Sequence, residues 1–179
     1  MEAYIAFLRG INVAGKNKIP MAELRELCES IELKDVRTYI QSGNIIFKSV
    51  VNSTSKLEGL LAEAILNRFG FEVPVLIRTT DQVSVIVNDN PFASDDDSIK
   101  KQLYFVLVGS SPSIETLIKF KTEAFVNEEF SIADGCIYLK CNAGYGKAKL
   151  NNNLIERKLN VMATTRNYRT MNKLLEMAS

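Results

Sequence analysis

An α+β fold of two similar halves is predicted for this chain of 179 residues by three observations. Apolar runs alternate in the order strand, helix, strand, strand, helix, strand across residues 1–90. The same order returns across residues 91–179, and each half holds a tight hairpin marked by a turn glycine, Gly43 in the first and Gly135 in the second.

Element by element, Tyr4-Ile5-Ala6-Phe7-Leu8 is an apolar run of strand length. Gly, Asn and Lys then dominate as far as Pro20, whose fixed φ suits the first turn of a helix. Met21, Leu24, Leu27, Cys28 and Ile31 recur at helical spacing, with Glu23, Arg25, Glu26 and Glu29 on the opposite side. Val36–Ile40 and Ile45–Phe47 flank Gln41-Ser42-Gly43-Asn44 as a hairpin. Ser55-x-x-Glu58 reads as a capping box ahead of Leu57, Leu60, Leu61, Ala64, Ile65 and Phe69, and Gly70 is the expected stop. Val73–Ile77 is a strand and Thr80–Val87 a short helix.

In the second half, Gln102–Val108 is a strand, and Ser111-Pro112 is expected to cap a helix that ends near Phe120. Phe130–Ala133 and Cys136–Lys140 form a hairpin about Asp134-Gly135. Leu150, Leu154, Ile155 and Leu159 mark a helix, Val161–Thr164 a short strand, and a terminal helix begins at Asn167. Each half therefore reads as a ferredoxin-like, split β-α-β unit with an extra C-terminal helix, residues 1–90 and 91–179, the two packed as one compact unit. The duplication is one of pattern, with no residue-level repeat.

Composition narrows the chemistry. With 46% hydrophobic and 24% charged residues the chain is of ordinary globular type. The apolar run at the N-terminus stops at Arg9, too short for a secretory signal or a membrane span, so a cytoplasmic protein with no membrane partner is expected. Histidine is absent, which removes Ser-His and Cys-His nucleophile pairs and imidazole bases. Cys28, Cys136 and Cys141 have no metal-ligand spacing and read as buried thiols. Asp95-Asp96-Asp97 lacks the alternating ligands of a calcium loop, so no metal or cofactor is expected. From Lys140 onward eight basic residues face Glu156 and Glu176, a surplus of +6 in a chain of net charge +1.

Gly10-Ile11-Asn12-Val13-Ala14-Gly15-Lys16-Asn17 has the Gly-x-x-x-x-Gly-Lys skeleton of a phosphate-binding loop. Asn17 stands where Ser or Thr would ligate magnesium, and Pro20 delays the helix, so a nucleoside-triphosphatase loop is rejected. Two glycines, two asparagines and two lysines remain, either as a tight turn or as anion contacts.

The segments LRGINVAGKNKIPMAELR, TYIQSGNIIF, NPF, GKAKLNNNLIERKL and ATTRNYRTMNKL, in that order, resemble the bacterial family of unknown function DUF1697. The resemblance implies a bacterial, cytoplasmic protein of paired ferredoxin-like halves and leaves the activity open. Family positions fall on Arg9, Asn12, Lys16, Gln41, Ser42, Gly43, Asn44, Lys149, Asn152, Thr164, Thr165, Arg166 and Asn167, among others. Ala14 replaces a usual glycine, Ala148 a frequent serine and Tyr168 a typical tryptophan.

Arg9, Lys16, Lys149 and Arg166 lie at or beside element ends, where binding residues concentrate. With Asn12, Asn44 and Asn152 they are the candidate contacts of an anionic, phosphate-bearing ligand, a nucleotide or a single-stranded nucleic acid. Tyr39, Phe47, Tyr104 and Tyr138 on strands would supply base stacking. The alternatives are an enzyme acting on a small phosphorylated substrate, with Lys16 or Lys149 acting electrostatically, and a structural or oligomeric protein without catalysis. No catalytic residue and no oligomeric state is predicted.

Overall fold

The computed structural model describes residues 1–179, in which eight strands and seven helices form two four-stranded antiparallel sheets. The chain divides into two compact units, Met1–Val85 with Lys173–Ser179, and Ile86–Asn172.

The first unit runs β1 (Glu2–Leu8), α1 (Met21–Ser30), β2 (Lys34–Tyr39), β3 (Asn44–Ser49), α2 (Thr54–Phe69), β4 (Val75–Thr79) and the start of α3 (Thr80–Asn88). Its sheet order is β2-β3-β1-β4. Alternation along the strands sends Tyr4, Ala6, Leu8, Ile45, Phe47, Val75 and Ile77 to one face, where they pack with Leu24 and Cys28 of α1 and Leu57, Leu61 and Ile65 of α2. The four-residue spacing in α2 makes one stripe, and each fully buried leucine contributes about 2 kcal/mol. Gly70 ends α2 in the left-handed conformation, φ 80°. Its start differs from the expected capping box: Ser53, not Ser55, accepts from the Lys56 N–H. Glu58 is drawn instead to β4, where its Oε1 accepts the Ile77 N–H at 2.8 Å. A buried strand amide competes for that carboxylate more strongly than the helix end does.

The second unit runs α4 (Asp97–Lys100), β5 (Leu103–Val108), α5 (Ile114–Lys121), β6 (Glu128–Ala133), β7 (Cys136–Cys141), a 3-10 turn at Tyr145–Lys147, α6 (Asn152–Leu159), β8 (Ala163–Asn167) and the start of α7 (Tyr168–Ala178). Its sheet order is β6-β7-β5-β8. Val106, Val108, Ile137, Leu139, Cys141 and Ala163 pack with Phe120, Leu150, Ile155 and Leu159 in a second core. The cap of α5 is Ser113 rather than Ser111-Pro112, and β8 begins at Ala163, two residues later than expected. The aspartate run is more than a connection: Asp96 caps the single turn of α4, and hydrogen bonds from Ser98 hold its carboxyl below the usual range.

Candidate functional site: two lysine loops

The β1–α1 loop is the most contorted backbone in the first unit. Gly10, Asn12, Ala14, Gly15 and Asn17 all have positive φ, between 48° and 77°. Gly and Asn enter that region at least cost, and their frequency here follows from it. Inside the loop, the Asn12 N–H donates to Asn17 O at 3.1 Å and the Lys16 N–H to Val13 O at 3.0 Å. Those amides are turned inward and unavailable to an anion.

Asn12 braces the loop. Its Nδ2 donates to Ile19 O at 3.0 Å and to Gln41 O at 2.9 Å, while its Oδ1 accepts the Ile19 N–H at 2.9 Å. Asn44 does similar work for the β2–β3 turn, donating to Tyr39 O and to Ser42 Oγ, both at 3.0 Å. Between them, Gly43 brings the turn against β1. A Cβ there would lie 2.7 Å from Leu8 Cβ and 2.8 Å from Ile11 Cδ1, and φ is 77°. The amides of both asparagines thus bond the protein's own backbone and turn.

The lysines differ. Lys16 and Lys18 are exposed and meet no carboxylate, whereas Lys48, Lys100, Lys119, Lys140, Lys158 and Lys173 each form an ion pair. A hollow of about 370 Å³ is lined by Asn12, Gly15, Lys18, Ile19, Pro20 and Gln41, so that Lys18 is in its wall and Lys16 is not. Pro20 is the N-cap of α1 and supplies no side-chain cap, so the hollow adjoins a helix terminus with free N–H groups and a positive dipole end. Arg9 is half-buried at the end of β1, where its N–H donates to Pro74 O at 3.0 Å.

In the second unit the β7–α6 loop carries Lys147 and Lys149, again exposed and without a carboxylate partner. The Lys149 N–H donates to Glu128 Oε1 at 3.2 Å. Asn152 Oδ1 accepts from the Thr165 hydroxyl at 2.6 Å, and Thr165 Oγ1 accepts from the Tyr145 hydroxyl at 3.1 Å. Tyr145 stacks on Tyr104 with ring centres 4.9 Å apart. Arg166 follows Thr165 along β8 and so points to the other face of the sheet from Asn152. It is buried there, donating to Thr164 Oγ1 at 2.8 Å and Thr165 O at 2.9 Å. Asn152 is therefore grouped with Tyr145 and Thr165, and Arg166 with Thr164.

Lys18 and Lys147 were not among the residues singled out from sequence. The signal that would have found them is a short recurrence. Gly15-Lys16-Asn17-Lys18-Ile19-Pro20 and Gly146-Lys147-Ala148-Lys149-Leu150-Asn151 share Gly, Lys and Lys at equal spacing, then a buried apolar residue, then a helix N-cap. The likeness is local, since the first segment follows β1 and the second follows β7.

No group of three or more His, Cys, Asp or Glu side chains is gathered where it could hold a metal ion. No helix is long and apolar enough to cross a membrane. Residues 1–138 match the family described as Protein of unknown function (DUF1697). No curated protein matches the chain. Among solved structures it resembles the conserved bacterial protein SP0830 from Streptococcus pneumoniae, at 24% identity and TM-score 0.78 over 99% of each chain, a likeness of fold.

Proposed function

We propose that this chain, which belongs to the DUF1697 family, binds a phosphate-bearing small anion at the β1–α1 loop of its first unit. The observation that carries the reading is Lys18, without a carboxylate partner, in the wall of a hollow that adjoins the uncapped start of α1, with Lys16, equally without one, two residues before it. Ammonium groups and free helix N–H groups are the standard donors to phosphate oxygens. Asn12 holds the loop in shape, and Lys149 with Lys147 presents similar charge in the second unit.

The ligand in this reading is a nucleotide-sized molecule rather than a nucleic acid laid across the sheets. Phe47 is 0% exposed and Tyr138 3%, so neither offers a face for stacking. The reading includes ferredoxin-like halves, supported by the strand orders β2-β3-β1-β4 and β6-β7-β5-β8. It includes cytoplasmic residence, supported by three buried cysteines, none of them in a disulfide.

Titrating ¹⁵N-labelled protein with inorganic phosphate and with AMP tests it. Amide shifts are expected from Gly15 to Leu24, and Lys16→Ala with Lys18→Ala should weaken binding about tenfold or more. Absence of shifts at millimolar ligand defeats the proposal. A single-stranded oligonucleotide that binds with a steep salt dependence while AMP does not would transfer it to nucleic acid.

A further inference from the structure

Four strand edges border the two sheets, and three of them are closed by the protein itself. On β4 the Glu58 carboxylate takes the outward N–H of Ile77 at 2.8 Å. On β8 the Glu156 carboxylate takes the outward N–H of Ala163 at 3.0 Å. The edge of β2 is broken by a register shift between Lys34 and Arg37, with Asp35 at φ 51° and three charged residues in four positions. Bulges and charges of this kind discourage strand addition.

The edge of β6 has neither a carboxylate cap nor a bulge; its charges, Glu128 and Glu129, lie at the strand's start, where a bridge to Phe125 meets only Glu128. Its register with β7 is unbroken from Glu128–Cys141 to Ala133–Cys136. The Asn142 N–H donates to Asn127 O at 2.9 Å, which makes 127, 129, 131 and 133 the positions bonded to β7. Phe130 and Ile132 therefore aim their N–H and C=O groups away from the sheet. A hollow of about 640 Å³ lies there, lined in part by all of residues 128–132. Side chains alternate between faces, so five consecutive residues line one hollow only along the strand's edge.

The walls define what fits. Phe92, Lys121 and residues 123–125 also line the hollow, beside the strand edge. Phe92, Phe125 and Phe130 are half-buried and offer apolar contact. Glu123 and Glu129 are ion-paired with Lys158 and Lys140, which leaves Glu128, 7% exposed and with an Oε2 that has no hydrogen-bond partner, as the acid of the hollow without a cation. We propose that the β6 edge is a docking site for an extended peptide, added as a further strand, that carries apolar residues beside a basic one. Main-chain bonds to Phe130 and Ile132 would hold it, and the acidic end of the groove would choose the flanking lysine or arginine.

The probe is acetyl-Lys-Val-Val-Val-Lys-amide added to ¹⁵N-labelled full-length protein. Amide shifts are expected to centre on Phe130 and Ile132, with slowed hydrogen exchange at both. Ile132→Pro removes an N–H that makes no bond to β7, a position where an edge strand tolerates proline, and should weaken the peptide about tenfold or more. Glu128→Gln keeps the strand intact and should erase the preference over acetyl-Glu-Val-Val-Val-Glu-amide. The proposal is overturned if the peptide perturbs neither amide at millimolar concentration, or if a backbone N-methylated peptide binds as well. It is equally overturned if the protein without peptide is a dimer in which these two amides are already protected, since the occupant is then a second copy.

Discussion

The two units share element order and sheet order, yet place their long lysine loops differently. In the first unit it follows the first strand of the sheet, between β1 and α1; in the second it follows the third, between β7 and α6. The helix it leads into is uncapped in one and capped in the other, where Asn151 Oδ1 accepts the Leu154 N–H at 3.1 Å. Similar Gly-Lys-x-Lys segments thus sit on unlike foundations, and the first is the better place for an anion because its helix donors are free. What differs is also how each loop is held: backbone strain and Asn12 in the first, a polar chain through Tyr145, Thr165 and Asn152 in the second.

The sharpest way to break the comparison is at Gly43. Alanine there carries a left-handed penalty and collides with Leu8 and Ile11, so Gly43→Ala should lower stability by about 3 kcal/mol. Gly70, left-handed at φ 80° and ψ 14° where α2 ends, faces open space, and Gly70→Ala should cost only about 1 kcal/mol. Urea denaturation of the two variants measures the contrast. Equal losses would show that the first turn has no special closeness to β1.

Next in size is Asn12→Ala, expected to cost about 2 kcal/mol because the N–H of buried Ile19 loses its acceptor. Its counterpart Asn151→Ala removes one helix cap, at about 1 kcal/mol. Smaller still and opposite in sign is Ala14→Gly. Ala14 sits at φ 49°, so glycine relieves strain and should raise stability by about 1 kcal/mol in the same denaturation assay. A loss would mean that the Ala14 methyl has packing that outweighs its backbone strain.

Much of this architecture was legible because it is written in short-range chemistry. Leu57, Leu61 and Ile65 declare a helix by spacing, and Gly43, Gly70 and Gly135 mark turns that only positive φ can make. The misreadings have a common physical origin. Glu58 and Ser55 have the spacing of a capping box, but the carboxylate answers to Ile77, 19 residues away. Asn12 and Asn44 have the same hydrogen-bonding inventory whether they bind a ligand or brace a turn, and only the fold shows that their amides are engaged. Phe47 and Tyr138 were placed on strands correctly, while their burial depends on contacts a single sequence does not display. Arg166 and Asn152 look alike as family positions, and strand alternation puts them on opposite faces of β8.

The smallest contrast at neutral pH concerns the thiols of the two cores. Burial pushes Cys28 in α1 and Cys141 in β7 up to about 12, with Glu29 adding to the first and Glu128 to the second. Both thiols keep their protons in the folded state while the unfolded chain releases them above about pH 8.5. The unfolded state then binds fewer protons, so the contribution is full below that pH and is lost as pH rises toward 12. One unit above the unfolded value the loss is about 1 kcal/mol per thiol. Cys28→Ala and Cys141→Ala should each flatten the alkaline slope of stability, read as slope so that any cavity cost drops out. The units part company at Glu128. Its replacement by glutamine removes a negative neighbour from Cys141 alone, so alkaline reaction of Cys141 with a thiol reagent should quicken while Cys28 is unchanged. Equal quickening of both thiols would mean that the variant loosens the fold as a whole, and the assignment of Glu128 as the charge beside Cys141 would fail.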